Sequence, residues 1–189
     1  MKPMTRRMRR GLLLLAACAL PAGAAAQETP EQVVQRYYET FRAGDFAANA
    51  AIMHPDALEE LKTTLVGFAE IPGATEEEGF TKMFGVRTLE EMRALAPAVL
   101  FERMLRSQLG NDEMREILSG TQVAVLGHVM EGDTTAHVVY RMRMSFAQQT
   151  MDQVQVMPLK RADGQWRVML TGSLAGMMGS IPRPLNEDE

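Results

Sequence analysis

The chain has three histidines, a single cysteine and sixteen methionines, and their chemistry has to be weighed first. His54 stands two positions before Asp56, and an imidazole beside a carboxylate is the pairing of a general base. The same aspartate also suits the N-cap of a helix, with Glu59 three residues on completing a capping box. His128 and His137 fall opposite each other if the chain folds as a hairpin about Gly132-Asp133, a spacing at which two imidazoles can share a metal ion. No carboxylate or third histidine joins them on that face, and Arg141 and Arg143 lie close by, so no metal site is expected. Thioethers suit Cu(I), but the thirteen methionines beyond Met1, Met4 and Met8 are spread about one per element. Only Met142/Met144 and Met177/Met178 are close in sequence, and that spread reads as gap filling in a core short of aromatic rings. The sequence holds no glycine-rich phosphate loop, nucleophile elbow or His-Glu metal helix, and no cofactor is expected.

The first 26 residues bear on where such groups would act. Met1 to Arg10 is basic, Gly11 to Leu20 apolar, Pro21 interrupts the run, and Ala24-Ala25-Ala26 precedes Gln27, the pattern of a signal peptide for export to the periplasm or beyond. The apolar run is too short to span a bilayer as a helix, so no transmembrane segment is expected. Leu15-Ala16-Ala17-Cys18 also matches the box at which bacterial lipoproteins are acylated, which makes a lipid anchor on Cys18 the alternative. Cleavage after residue 26 would leave no cysteine, and with it no disulfide or thiolate chemistry. Of 20 basic and 24 acidic residues, that leader holds Lys2, Arg6, Arg7, Arg9 and Arg10 and no acid, leaving 15 against 24, a net of −9. Such a surface repels phosphate backbones and anionic lipid, so no nucleic-acid partner is expected. With 46% apolar and 23% charged residues, the remainder suits a single globular domain over residues 27–175, followed by a loosely ordered acidic tail at 176–189.

Punctuation along that domain predicts helices first. Thr29, Pro30 and Gln32 form a capping signature ahead of Val33, Val34, Tyr37, Tyr38 and Phe41 at helical spacing, and Gly44 ends the run. Asp45 caps a short alanine-rich helix that ends before Pro55, and Asp56 is expected to cap a third. Residues 70–86 look irregular, within a helical insertion at about 70–110. Thr88 with Glu91, Pro97 and Asn111 mark further helix starts. From Thr121 the period changes to two, giving strands at 121–130, 135–146, 151–161 and 165–172. Centring each hairpin on its turn pairs Val125 with Tyr140, Tyr140 with Met157, Val138 with Leu159, and Leu159 with Val168. One face then collects Val123, Val125, Val129, Val138, Tyr140, Met142, Met144, Phe146, Met157, Leu159, Trp166, Val168 and Leu170, with the Tyr140 phenol its only ionisable group. The other collects His128, His137, Val139, Arg141, Arg143, Val154, Val156, Lys160, Arg167 and Met169, a mixed surface suited to a homodimer contact.

An opening helix that ends in Arg42-Ala43-Gly44-Asp45-Phe46, a short second helix, His54-Pro55-Asp56-Ala57, more helix and then a long antiparallel meander resembles the NTF2-like superfamily. The resemblance covers about residues 30–173 and implies an α+β cone, with helices packed on a curved antiparallel sheet of four or more strands. Members of that superfamily include ketosteroid isomerase, polyketide cyclases, dehydratases and many non-catalytic binding domains, often dimeric through the outer sheet face. Its enzymes place an acid or histidine inside the cone, which this inward face lacks. The expected function is therefore non-catalytic, with a small apolar ligand in the cone or a protein partner on the outer sheet. The residues expected at such a pocket are His54, Asp56, Tyr140, Met142, Gln155, Met157 and Trp166. The alternative is an isomerase, dehydratase or cyclase using His54, Asp56 and Tyr140 as acid or base groups, and a filled interior would leave a module that only dimerises.

Overall fold

Helix α1, Pro30–Arg42, starts on a complete capping box: the Thr29 hydroxyl accepts from the Gln32 amide, and the Gln32 side chain accepts from the Thr29 amide at 2.8 Å. The computed structural model describes residues 27–71, 83–146 and 149–170. The expected leader at 1–26, most of the irregular segment (72–82), the centre of the second hairpin and the expected acidic tail lie outside the described residues. Gly44 takes the left-handed conformation after α1 (φ 68°), and Asp45 caps α2, Phe46–Ile52. Asn49 of α2 is fully buried and donates to the Tyr37 carbonyl and the Thr40 hydroxyl, pinning α2 to the last turns of α1. Helix α3 is Pro55–Ala69, α4 Leu89–Ala94, α5 Pro97–Leu109 and α6 Asp112–Gly120. The alanines of α2 let it lie close against α5.

The strands are β1 Gln122–Glu131, β2 Thr135–Phe146, β3 Gln149–Ala162 and β4 Gln165–Val168, in one antiparallel sheet of order β1-β2-β3-β4. Asp163 and Gly164 both have positive φ, as a tight two-residue hairpin requires. The helices cover one face of this open sheet. Their apolar stripes, among them Val33, Val34, Leu61, Leu100 and Phe101, meet Val138, Met157, Leu159 and Val168 in a single core. The fold is α+β, in the element order that the resemblance implies.

Three pairings differ from expectation. Tyr140 lies opposite Gln155 and Val138 opposite Met157, because the second hairpin closes one position earlier than a turn centred on Gln148-Gln149 would. That slips β3 by two residues, and an even slip leaves the faces unchanged. β1 carries a bulge between Val125 and Gly127, an odd insertion that exchanges the faces of everything beyond it. His128 therefore pairs with Val138 on the helix side and meets Glu31 of α1, whereas Val129 turns outward opposite His137 and is 64% exposed. The two histidines are on opposite faces and form no pair. β4 also ends at Val168 rather than near 172, after which Met169 donates one last bond to the Pro158 carbonyl.

Gly127 takes φ 146° within that bulge, and a methyl group there would meet nothing within 4 Å. Gly127→Ala is therefore expected to destabilise through backbone conformation alone, by about 1–3 kcal/mol. Urea unfolding checks this; an unchanged midpoint would mean that the bulge does not need glycine.

Candidate functional site

Strand lengths create the site. β3 runs for 14 residues and β4 for only four, paired with Leu159–Ala162. The first part of β3 therefore has β2 on one side and no β4 on the other. Over this stretch the helix layer and the sheet enclose a cavity of about 450 Å³, within the range usual for small-molecule sites. Its walls come from the second half of α1 (Tyr37, Tyr38, Phe41), from α5 (Phe101, Leu105), and from the inward residues of β2 and β3.

Polar groups on the wall form a directed chain. The Tyr38 hydroxyl donates to Tyr140 Oη at 2.7 Å, the Tyr140 hydroxyl donates to Gln155 Oε1 at 2.8 Å, and the Gln155 amide donates to Gln153 Oε1 at 3.1 Å. The chain leaves unused lone pairs on the Tyr38 oxygen at one end and amide N–H groups at the other. Burial raises all three nearby phenols above their ordinary value. Tyr37 and Tyr38 are further raised by the neighbouring Tyr140 charge, and Tyr38 also by donating its proton to Tyr140. Accepting that proton partly offsets the rise at Tyr140. At neutral pH these are donors and acceptors without charge. Among the described residues, the cavity wall has no carboxylate, imidazole, lysine or arginine.

Of the residues expected at the pocket, Tyr140, Met142, Gln155 and Met157 line the cavity. His54, Asp56 and Trp166 do not, and each is held elsewhere for a visible reason. His54, not Asp56, is the N-cap of α3: its Nδ1 accepts from the Asp56 amide at 3.1 Å, its own amide donates to the Val168 carbonyl, and the ring is buried. Proline at the first helical position moves the cap back from Asp56. The Asp56 carboxylate, 3.6 Å from His54 Nδ1, is 71% exposed and points away into solvent. Trp166 is buried at the opposite end of the sheet, where the Arg161 guanidinium lies 4.4 Å above its ring. Arg161 and His128 add two ionisable groups to the inward face that the strand pattern did not show. Both sit at that far end, with the Gly132 and Gly164 turns.

Sequence reasoning missed Tyr38, Gln153 and the convergence of methionines. Met53, Met114, Met142, Met144, Met151, Met157 and Met169 all reach the cavity from separate elements, so spread along the chain did not mean spread in space. Met169, expected on the outer face, reaches it because the chain leaves β4 one residue earlier. A signal for Gln153 was present: Gln153-Val154-Gln155-Val156 puts polar residues inward and apolar ones outward, the inverse of a sheet with a dry interior and a wet exterior.

Among solved structures, the chain is similar to an NTF-2 like protein of unknown function from Shewanella oneidensis MR-1. The TM-score is 0.41 and the sequence identity 13%, over 74% of this chain and 90% of that one. No protein-family model matches the chain, and no curated protein does. No helix among the described residues is long and apolar enough to cross a membrane.

The protein's three tyrosines are those at the cavity, which gives a direct optical test. Each has a folded pKa above its unfolded value of about 10. The neutral phenol is thus favoured by folding, and this stability is complete below pH 10 and lost as pH rises beyond it. In an alkaline titration, tyrosinate absorbance is expected to stay flat through pH 10 and to rise only together with loss of far-ultraviolet circular dichroism. A rise near pH 10 in the folded protein would show the phenols to be wet.

Proposed function

We propose that this protein is a binder of a neutral, mostly apolar small molecule, held in the cavity with its one polar group on the Tyr38–Tyr140–Gln155 chain. The observation that carries this reading is the wall itself: large, apolar and sulfur-rich, with amides and phenols as its polar groups. A carboxylate or phosphate on the ligand would find no cation there, and an ammonium no anion, so the wall chemistry favours an alcohol, carbonyl or ester. His54 and Asp56, the acid and base groups of the enzymatic alternative, stand off the cavity, and the non-catalytic reading is preferred for that reason. Export by the N-terminal leader is part of the proposal, placing the binder outside the cytoplasm.

A second reading concerns the outer face. Val129, Val154 and Val156 there are 64%, 54% and 51% exposed. The adjacent arginines are already neutralised: Asp152 accepts from Arg141 and Arg143 at 3.1 and 2.8 Å, and the Arg143 hydrogen bond leads in holding its carboxyl below the usual range. Two such faces can meet without like-charge repulsion, and the occupant we propose is a second copy of this chain. Val156→Lys is expected to convert a dimer to a monomer in sedimentation velocity; a monomeric unsubstituted protein would dismiss this reading.

For the cavity, the test is the uncharged fluorophore N-phenylnaphthylamine, together with native mass spectrometry of the freshly purified protein. Saturable fluorescence enhancement and a co-purified neutral adduct are expected. Tyr140→Phe should leave the apolar probe bound while weakening a ligand with a polar group by about threefold to tenfold, the worth of one hydrogen bond. Flat fluorescence and a bare mass would overturn the proposal.

A further inference from the structure

We propose a soft-cation site at the open end of the cavity, in which the thioethers of Met142, Met144 and Met151, with Met114 beside them, bind Cu(I). Met144 and Met151 are directly paired across β2 and β3, and Met142 lies two residues from Met144 on the same face. Cross-strand pairs of this kind hold their Cβ atoms about 5 Å apart, within reach of one ion for two long unbranched side chains. Met114 comes from α6, which packs against β2, and it lines the same cavity. Four thioethers from three elements thus share one end of one space.

Gap filling accounts for Met92, Met104 and Met157, which are buried in the core. It does not account for Met151, which is 49% exposed, where a thioether fills no gap and a polar residue would be better solvated. A neutral sulfur donor set with no carboxylate on the wall discriminates against hard cations and Zn(II) in favour of Cu(I) or Ag(I). Binding is a simple association of the reduced ion with lone pairs on sulfur, and no electron is transferred. The inference stands on the placement of sulfur and is independent of the neutral-ligand reading.

The test uses the full chain carrying Cys18→Ser, so that no thiolate competes, titrated with Ag(I) and with anaerobic Cu(I) against a chromogenic Cu(I) chelator. Uptake of about one equivalent of each is expected, with none of Zn(II). Met144→Leu combined with Met151→Leu, a volume-conserving change, should weaken uptake by about tenfold or more, or about 1.4 kcal/mol, while Met92→Leu changes nothing. Methyl-carbon NMR on unsubstituted methionines gives a second readout, in which the resonances of Met144 and Met151 shift with Ag(I). Absence of uptake, or uptake equal in the double variant with unmoved methyl signals, would overturn the site. N-phenylnaphthylamine binding reports separately on the cavity.

Discussion

The hydroxyl of Tyr38 donates to the hydroxyl of Tyr140 deep between the helices and the sheet, and this contact fixes how the two layers meet. Two buried phenols are costly to leave without partners. Their bond therefore ties the rotation of α1 about its axis to the phase of β2. An odd slip in β2 would turn Tyr140 outward and bring Arg141 in, losing the bond and burying an arginine together. The tilted packing of the two rings, 5.2 Å between centroids, adds contact to the same junction. Tyr37 and Phe41 then stack along the next turn of α1, so one helix supplies a continuous aromatic wall.

Around that junction, the space exists because the sheet is longer than its cover. At the Gly164 end, β4, the Gln27 side chain and the start of α1 close the interior, with Gln27 donating to the Gly164 carbonyl. At the other end, β3 continues past the last residue of β4, and no strand fills the gap. The inward residues of β3 grade accordingly, from buried Leu159 and Met157 through half-buried Gln155 to exposed Gln153 and Met151. Polarity rises as cover falls, and the cavity lies on that gradient.

Much of the fold was legible because its signals are local. The Thr29, Asp45, Thr88 and Asn111 caps, the Gly44 stop and the Asp163-Gly164 turn each act within a few residues, and sequence spacing is enough to read them. The inward placing of Tyr140 and Met157 survived an error in register because that error was even. What escaped was non-local or competitive. An extra residue at the Val125–Gly127 bulge leaves no mark in an alternating pattern, yet it moved His128 and Val129 to new faces. His54 and Asp56 both had the chemistry of a cap, and only the position of Pro55 at the helix start decided between them. The meeting of seven methionines at one cavity depends on the packing of α6 and the end of β4, which no window of sequence contains.

Trp166 is the protein's single tryptophan, and it lies beneath a guanidinium at the closed end, away from every residue that lines the cavity. Its emission is therefore a gauge of whether the hairpin at that end is assembled and is indifferent to what occupies the open end. The molecule thus carries separate built-in reporters: an indole that follows integrity of the fold, and phenols that follow the state of the hollow.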